Sequence, residues 1–525
     1  MATANAINVF SSRSEHVKGK ESWRRNLRLT ALAADRIRSS LGPNGAYKMV
    51  TYNLGPEKIV KITRNAVAVL EELAIKYPTL VVLSEASKVQ SQEIGDGVKS
   101  FIIMTAELLK RADKLISKGV HPTKILKGYE EATQKALEII KSISGPFEEN
   151  DLASVLDSVD CGRGCLTPQL QERIIQAKKT ASPQGHLEKD RIRILRKPGG
   201  AQAETELVKG LVVKKSKLHP NMPKTVSNPK IALTSGRIGI NRLEVKMPGE
   251  GPFNMNLEIK TPQNIVDYRS AEKLRKAESI AGLEENNVNV LFSQQPIDDY
   301  SKSILTRMGV IAFASVDRAD IALISKATGA RPVSNLSNLE KTDVGFAEKL
   351  ETDRIALEEI VVLSGCPFVT FLLRGSNPQV LDEQELLILN SLRLLQVAES
   401  SPKKVPGGGA TELQVAKKLK DFALQFSGRE QLAIDDFAEA ILEIPRSIAA
   451  NNGLFPDDAM AQLGKLHAEA LLNYGLSSDG SYGVVPPEFS QVKSTFIRRA
   501  FEVASLLLRI DEQVVAKEIP KFHKQ

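Results

Sequence analysis

The chain changes character twice along its length. Its first third and last quarter carry apolar residues at helical spacing, and the stretch between them alternates short β-branched runs with helical segments. From Lys99, the positions Ile102, Ile103, Ala106, Leu109 and Leu115 recur every three or four residues, with Lys110, Arg111 and Lys114 between them. A second pattern from Gly428 to Ala450 runs through Leu432, Phe437, Ile441 and Ile444, and Ala500, Val503, Ala504, Leu507 and Leu508 form a third stripe. The middle holds β-rich runs at Arg191–Leu195, Leu207–Val213, Lys230–Leu233, Val288–Phe292, Val310–Ala314 and Val369–Leu373. Clusters at Lys197-Pro198-Gly199-Gly200 and Met247-Pro248-Gly249-Glu250-Gly251-Pro252 punctuate it. Helical ends around an α/β insert predict a multi-domain chain whose two ends meet in one mainly α domain. Tyr47–Asn53 and Lys58–Thr63, joined through Gly55-Pro56, read as a hairpin.

Length and composition bound the class. At roughly 100–200 residues per domain, 525 residues predict about three domains. Hydrophobic residues at 42% and charged residues at 26% are ordinary for a soluble globular protein. No apolar run approaches the roughly 18–20 residues of a membrane span, and no charged-then-apolar signal segment opens the chain. Three cysteines are too few to staple such a length and fit a reducing compartment, so a cytoplasmic location is expected. The formal charge of +8 suggests a basic patch. Nucleic acid is nonetheless disfavoured as a partner, because aromatics are only 5% and no aromatic-plus-basic motif occurs.

Several chemistries are missing from the sequence. There is no P-loop, no Gly-x-Gly-x-x-Gly after a strand, and no His-Glu-x-x-His. Cys161 and Cys165 lack a second pair or a nearby His, so they read as structural. His121, beside Pro122, reads as a helix-entry residue.

Three glycine-bearing loops stand before helical stretches or the hairpin: Leu41-Gly42-Pro43-Asn44-Gly45, Gly95-Asp96-Gly97-Val98-Lys99-Ser100 and Pro406-Gly407-Gly408-Gly409-Ala410. Glycine lets backbone amides approach an anion closely, and a following helix N-terminus adds partial positive charge. Asp96 between two glycines suits a Mg²⁺ that bridges to phosphate. From these residues alone, helix capping and nucleotide binding stand as equal alternatives.

At these loops the sequence resembles the group II chaperonins, the thermosome and eukaryotic cytosolic ring-chaperonin family, nearly end to end. Leu41 to Gly45 with Lys48-Met49 is similar to that family's first nucleotide loop, and Gly95-Asp96-Gly97 to its second. Val405 to Ala410, Gly428 to Ile434 with Phe437-Ala438, and Leu508-Arg509-Ile510-Asp511 resemble its C-terminal signatures. His219 to Lys224, Asn228 to Leu233 and Ala327 to Asn335 look like its apical domain. Glu488, five residues before Lys493, matches the acidic residue that the family places near the nucleotide's base and sugar.

The resemblance implies an α equatorial domain from 1–143 and 402–525, and a small α/β intermediate (hinge) domain from 144–207 and 369–401. An α/β apical domain spans 208–368, with a helical protrusion near 253–285. It implies ATP or ADP with Mg²⁺, bound by Leu41, Gly42, Pro43, Gly95, Asp96, Gly97, Val98, Lys99, Ser100, Gly408, Gly409 and Glu488, with Asp96 on the metal. The implied partners are unfolded or partly folded proteins and same-family subunits, in two stacked rings of eight or nine members, of one kind or mixed. An archaeal thermosome-type subunit of a divergent, gamma-like kind is the expected branch, ahead of a eukaryotic paralogue. Ile265, Val266 and Tyr268 are the expected client contacts, where the protrusion begins. Phe253 to Lys260 alternates like a half-buried strand.

Departures from the family pattern qualify the expected activity. The family continues Gly-Asp-Gly-Thr-Thr, and here Val98 and Lys99 follow. Val98 supplies no hydroxyl, and Lys99 either makes a charge-assisted contact to phosphate or points to solvent. After the hairpin the family has Thr-Asn-Asp-Gly, whereas this chain has Thr63-Arg64-Asn65-Ala66, so an aspartate becomes Asn65. On the helical run Glu383–Ala398, where Leu386, Asn390, Leu394 and Val397 share a face, Asn390 stands at the aspartate expected to activate water. Losing a general base typically costs about 10²–10⁴ in rate. The resemblance therefore predicts an ATP-dependent chaperone subunit with weakened hydrolysis. The alternative is a structural ring subunit that neither hydrolyses nor usefully binds ATP and contributes assembly or client specificity.

Overall fold

The computed structural model describes residues 14–18, 20–54, 57–74, 77–148, 151–158, 166–182, 187–238, 244–245, 253–254, 270, 274, 277–278, 280–355, 358–510 and 512–516. They divide into two compact units, residues 1–175 with 377–525, and residues 176–376. The chain leaves the first unit once and returns to it once, as helical ends around an α/β middle predict. Residues expected to form the hinge domain divide between the units: 144–175 and 377–401 fall in the first, 176–207 and 369–376 in the second.

The helices are numbered in chain order. The first five are α1 (Lys20–Arg38), α2 (Ala66–Ala74), α3 (Pro78–Glu93), α4 (Val98–Ser117) and α5 (Pro122–Ile143). There follow α6 (Leu152–Ser158), α7 (Pro168–Ala181), α8 (Asp299–Arg307) and α9 (Arg318–Thr328). The return segment carries α10 (Pro378–Ser400), α11 (Ala410–Ala423), α12 (Arg429–Asn451), α13 (Pro456–Ala468) and α14 (Ser490–Leu508).

In the first unit α4, α5, α12 and α14 bury their apolar stripes against one another around Phe101, Tyr129, Phe437 and Phe496, all nearly inaccessible to solvent. The Tyr129 and Phe437 rings meet at 5.7 Å, and the Tyr129 hydroxyl donates to the Leu108 carbonyl at 3.0 Å, so the buried phenol keeps a partner. Burial pushes its pKa well up. His121 caps α5 as expected: its Nδ1 accepts from the Thr123 amide at 3.3 Å, with Pro122 opening the helix. Leu432 departs from its expected stripe and is 47% exposed. Five residues separate it from Phe437, which at 100° each puts it about 140° round the helix from that core face.

Small sheets border these helices. Ser14–Lys18 pairs antiparallel with Glu512–Ala516, joining the two ends of the chain. Lys48–Leu54 and Glu57–Thr63 pair antiparallel as the expected hairpin. Lys403–Val405 pairs with both Gly145–Pro146 and Glu488–Phe489, and Tyr474–Leu476 pairs with Tyr482–Val484.

The second unit is α/β. Ile311–Phe313, Val290–Ser293, Lys230–Thr234 and Pro332–Val333 form a parallel sheet, with Gly345–Phe346 antiparallel to the third of these strands. Every side chain of Val290–Ser293 is buried, as a central parallel strand requires, and Phe292 stacks on Phe313 at 4.8 Å. An antiparallel sheet is ordered Leu211–Val213, Glu358–Ser364, Lys349–Ile355, Thr225–Ser227. Val369–Gly375 lies between Ile192–Pro198, parallel, and Glu206–Lys209, antiparallel.

One expected strand is two. Leu207–Val213 breaks at Gly210, whose φ is +139° and whose amide donates to the Phe368 carbonyl at 2.8 Å. A Cβ there would lie 2.3 Å from the Leu363 carbonyl oxygen, so only glycine permits the approach that sends the halves into different sheets. Of the alternation expected over Phe253–Lys260, Phe253–Asn254 is a strand paired with Glu244–Val245, and the remainder lies outside the described residues.

Candidate nucleotide site

The first and third glycine loops meet in the first unit on the C-terminal half of α12. Asn451 Nδ2 donates to the Arg38 and Leu41 carbonyls at 2.9 and 2.8 Å, which holds the first loop to the end of α1. Asn44 Nδ2 donates to Asn452 Oδ1 at 2.9 Å and to the Ser478 carbonyl at 2.7 Å. A Cβ on Gly42 would stand 3.5 Å from the Ile448 side chain. Three residues earlier on α12, Pro445 receives the third loop, and a Cβ on Gly409 would lie 2.5 Å from that proline's Cβ. The Gly408 carbonyl accepts from the Leu476 amide at 2.9 Å, and α11 starts immediately afterwards.

The second loop is fixed from two sides. Asp96 Oδ1 accepts from the Gly97 amide at 2.7 Å, and the Asp96 carbonyl accepts from Gln90 Nε2 at 2.9 Å. Gln90 Oε1 accepts in turn from Arg499 Nη1 at 2.5 Å. Gly97 (φ +78°) is the residue on which α4 starts, so the amides of Val98, Lys99 and Ser100 lack intrahelical acceptors. Across from it stands α10: a Cβ on Gly95 would lie 2.6 Å from the Asn390 carbonyl oxygen and 2.9 Å from Arg393 Cβ. The backbone of Asn390 thus packs against Gly95.

The two amides at expected aspartate positions hold local bonds. Asn65 Oδ1 accepts from the Val67 amide at 2.8 Å at the entry to α2, and its own amide donates to Thr63 Oγ1 at 3.0 Å. Asn390 is half-buried, and its Oδ1 accepts from Arg393 Nη1 at 3.0 Å. Desolvation pulls the Arg393 guanidinium below its ordinary pKa.

The solvent-pointing alternative for Lys99 is overturned. Lys99 is only 4% exposed, and its Nζ donates to the Ser40 carbonyl at 2.8 Å, tying the start of α4 to the first loop. Arg64, equally buried, donates through Nη2 to the Gly42 carbonyl at 2.7 Å and the Ser40 carbonyl at 3.4 Å, and lies over the Tyr47 ring at 5.7 Å. Nothing in the chain's periodicity says that a residue between hairpin and helix turns inward, so the role of Arg64 is not legible from sequence.

At the third loop Glu488 pairs with Lys493 at 2.6 Å, and Lys493 pairs with Glu412 at 2.7 Å. Glu412 and Lys493 are almost wholly buried, and Glu488 less so. Burial opposes the ammonium's charge, but the two carboxylates more than reverse this and hold the Lys493 pKa above its ordinary value. Glu412 was missed from sequence, and its only signal was its place in the first turn after Gly409. On the loop that Asn44 reaches, hydrogen bonds from the Ser481 hydroxyl and amide lower the Asp479 pKa to about 2.

The residues fit a nucleotide whose phosphates lie at the start of α4, with Asp96 as the metal carboxylate. Among the described residues no three His, Cys, Asp or Glu side chains cluster to hold a metal. A Mg²⁺ here would take its remaining ligands from phosphate and water, as that ion commonly does. Also among the described residues, no helix is long and apolar enough to cross a membrane. Ile265, Val266, Tyr268, Cys161 and Cys165 lie outside the described residues. Cys366 is partly buried, and burial pushes its thiol pKa up.

Comparison with known proteins gives the family. The sequence pattern of the TCP-1/cpn60 chaperonin family matches residues 33–518. A thermosome subunit of Methanopyrus kandleri is 34% identical over 96% of this chain and 93% of its own. Thermosome subunit alpha of Archaeoglobus fulgidus is 33% identical over 98% and 95% respectively. Thermosome subunit beta of Methanothermobacter thermautotrophicus is 34% identical over 97% and 95%. Such coverage extends to both ends of the first unit and through the α/β insert, so the chain belongs to the TCP-1/cpn60 chaperonin family as a group II chaperonin subunit.

Proposed function

We propose that this subunit binds ATP or ADP in the site described, takes part in an ATP-dependent folding cycle within a double ring, and hydrolyses nucleotide poorly. The observation that carries the reading is Asn390. Its backbone packs on Gly95 of the second loop, it stands at the position to which the family resemblance assigns a water-activating aspartate, and its side chain is a neutral amide whose oxygen already accepts from Arg393. An amide cannot take the proton that hydrolysis releases, and the missing general base typically lowers the rate about 10²–10⁴-fold.

The other residues divide the work of binding. The amides of Val98, Lys99 and Ser100 and the positive end of α4 favour phosphate, and Gly408 and Gly409 let backbone approach closely. Asp96 would hold Mg²⁺, which when bound neutralises phosphate charge. Glu488 would face the sugar and base, its charge balanced by Lys493.

In this reading the subunit works in two stacked rings of eight or nine members, mixed with sister subunits that supply turnover, and encloses unfolded protein in the cytoplasm. Residues near Ile265, Val266 and Tyr268 would touch that client. The second reading, a structural subunit without useful nucleotide binding, draws support from Lys99 and Arg64, whose side chains already fill the first loop's carbonyls.

The test is restoration of both carboxylates. Asn65→Asp with Asn390→Asp should raise phosphate release in assembled rings by about 10²-fold or more. Release by the unmodified chain equal to that of a sister subunit would sink the proposal.

A further inference from the structure

The sequence contains two Asn-Gly dipeptides, Asn44-Gly45 and Asn452-Gly453, and the fold bonds their side chains to each other. Asn44 Nδ2 donates to Asn452 Oδ1 at 2.9 Å. Asparagine is a thermolabile residue, and a following glycine exposes it most, because no Cβ shields the backbone nitrogen that attacks the side-chain amide. That nitrogen bonds to Cγ, ammonia leaves, and one water opens the resulting five-membered succinimide to aspartate or isoaspartate. Water is the only other reactant.

The two dipeptides stand in different surroundings. Gly45 is enclosed: a Cβ on it would lie 2.2 Å from the Ser40 carbonyl oxygen, and the next amide, that of Ala46, donates to the Ser39 carbonyl at 2.8 Å. Gly453 is open: it is exposed, with φ +80°, and a Cβ on it would meet nothing within 4 Å. Asn452 caps the C-terminal turn of α12, and terminal turns are the part of a helix that frays most readily. While this turn is closed, the Gly453 amide donates to the Ala450 carbonyl at 3.1 Å and Asn452 Nδ2 to the Ser477 carbonyl at 2.9 Å, so both reacting groups are engaged elsewhere. Cyclisation at residue 452 therefore waits on opening of that one turn.

We propose that Asn452 is a site of spontaneous deamidation, and that its conversion releases the turn at residues 477–481 from α12. The aspartate product carries an oxygen where Nδ2 stood and sets it against the Ser477 carbonyl, so a hydrogen bond becomes a repulsion between two acceptors. The new negative charge lies at the C-terminal end of α12, where the helix dipole opposes it. Isoaspartate adds a backbone carbon between residues 452 and 453, which displaces the Gly453 and Leu454 amides from the Ala450 and Ala449 carbonyls. The Ser477 carbonyl also accepts from the Gly480 amide at 3.2 Å, and the adjacent Leu476 amide donates to the Gly408 carbonyl at 2.9 Å, so the disturbance passes from α12 to the third glycine loop. The modification requires no bound nucleotide.

The test incubates the full chain in mildly alkaline buffer and follows its peptides by mass spectrometry, which separates asparagine from aspartate and isoaspartate. In the folded chain Asn452 should convert more than about tenfold faster than Asn44, a difference of ~1.4 kcal/mol in the cost of opening, and in urea the two rates should converge. Equal rates in the folded chain, or faster conversion at Asn44, overturn the site. Hydrogen exchange tests the consequence: Asn452→Asp should speed exchange at the Ser477 and Gly480 amides about tenfold or more and leave the Phe437 amide, in the middle of α12, unchanged. If that variant does not fold, the aged unmodified chain, separated by charge from its unaged form, gives the same comparison. Unchanged exchange at Ser477 and Gly480 overturns the release of the turn.

Discussion

Substituting Gly95 tests whether α10 really seats Asn390 on the second loop. Gly95 and Gly119 have nearly the same backbone, at φ +86° and +83°. A side chain at either position meets the left-handed penalty of roughly 1–2 kcal/mol. Their surroundings differ: a Cβ on Gly119 meets nothing within 4 Å, whereas one on Gly95 lies 2.6 Å from the Asn390 carbonyl oxygen and 2.9 Å from Arg393 Cβ. Both obstacles are rigid, one being helix backbone and the other the root of a side chain. Relieving them requires α10 to move, and overpacking of that kind costs a further 1–3 kcal/mol or so. Gly95→Ala should therefore destabilise the first unit by about 2–5 kcal/mol and Gly119→Ala by about 1–2 kcal/mol. Urea unfolding of the two variants side by side measures the difference, and fluorescent-nucleotide titration measures its consequence. Gly95→Ala should weaken nucleotide binding while Gly119→Ala leaves it unchanged. Equal destabilisation by the two substitutions, or unchanged nucleotide affinity in Gly95→Ala, would refute the packing argument.

Three further outcomes follow from individual contacts. Asn65→Ala removes the bond to the Val67 amide at the start of α2 and should cost about 0.5–2 kcal/mol, while Asn65→Asp keeps an acceptor and should cost little; urea unfolding separates them. Lys493→Met strands the buried Glu412 and should cost about 3–5 kcal/mol at neutral pH, with partial rescue by Glu412→Gln. The Lys493 pKa is raised on folding, so its contribution is complete below the free-lysine value of about 10.4 and is lost as pH rises through the folded value; unfolding at pH 8 and in strong alkali should show this. Asp479, with its pKa lowered to about 2 by Ser481, should stay ionised across the mildly acidic range, and Asp479→Ala should speed hydrogen exchange at the Ser481 amide.

The legible parts of this fold are those set by periodicity and punctuation. The stripes from Lys99 and Ala500 mark α4 and α14 because a helix packed on one side writes its 3.6-residue period into the chain. The paired strands Lys48–Leu54 and Glu57–Thr63 are legible because Gly-Pro punctuates the β-rich sequence between them. Gly210 shows the limit. A β-rich run looks continuous because the break depends on a carbonyl, that of Leu363, more than 150 residues away in sequence. The site divides in the same way. The glycine loops announce themselves by composition, but the inward turn of Arg64 and Lys99 onto the Ser40 and Gly42 carbonyls is a tertiary fact. So is the partnership of Lys493 with Glu412, 81 residues apart, which only the meeting of α11 and α14 creates.

The central claim is that this chaperonin subunit holds nucleotide and barely turns it over. Occupancy and phosphate release measured on one preparation of assembled protein, beside a thermosome subunit under the same conditions, test it most directly. The account predicts near-stoichiometric nucleotide on this chain, with release at least about a hundredfold slower than the thermosome subunit's, the cost of replacing a general base by Asn390. Release at the thermosome subunit's rate, with Asn390 and Asn65 unchanged, would contradict it.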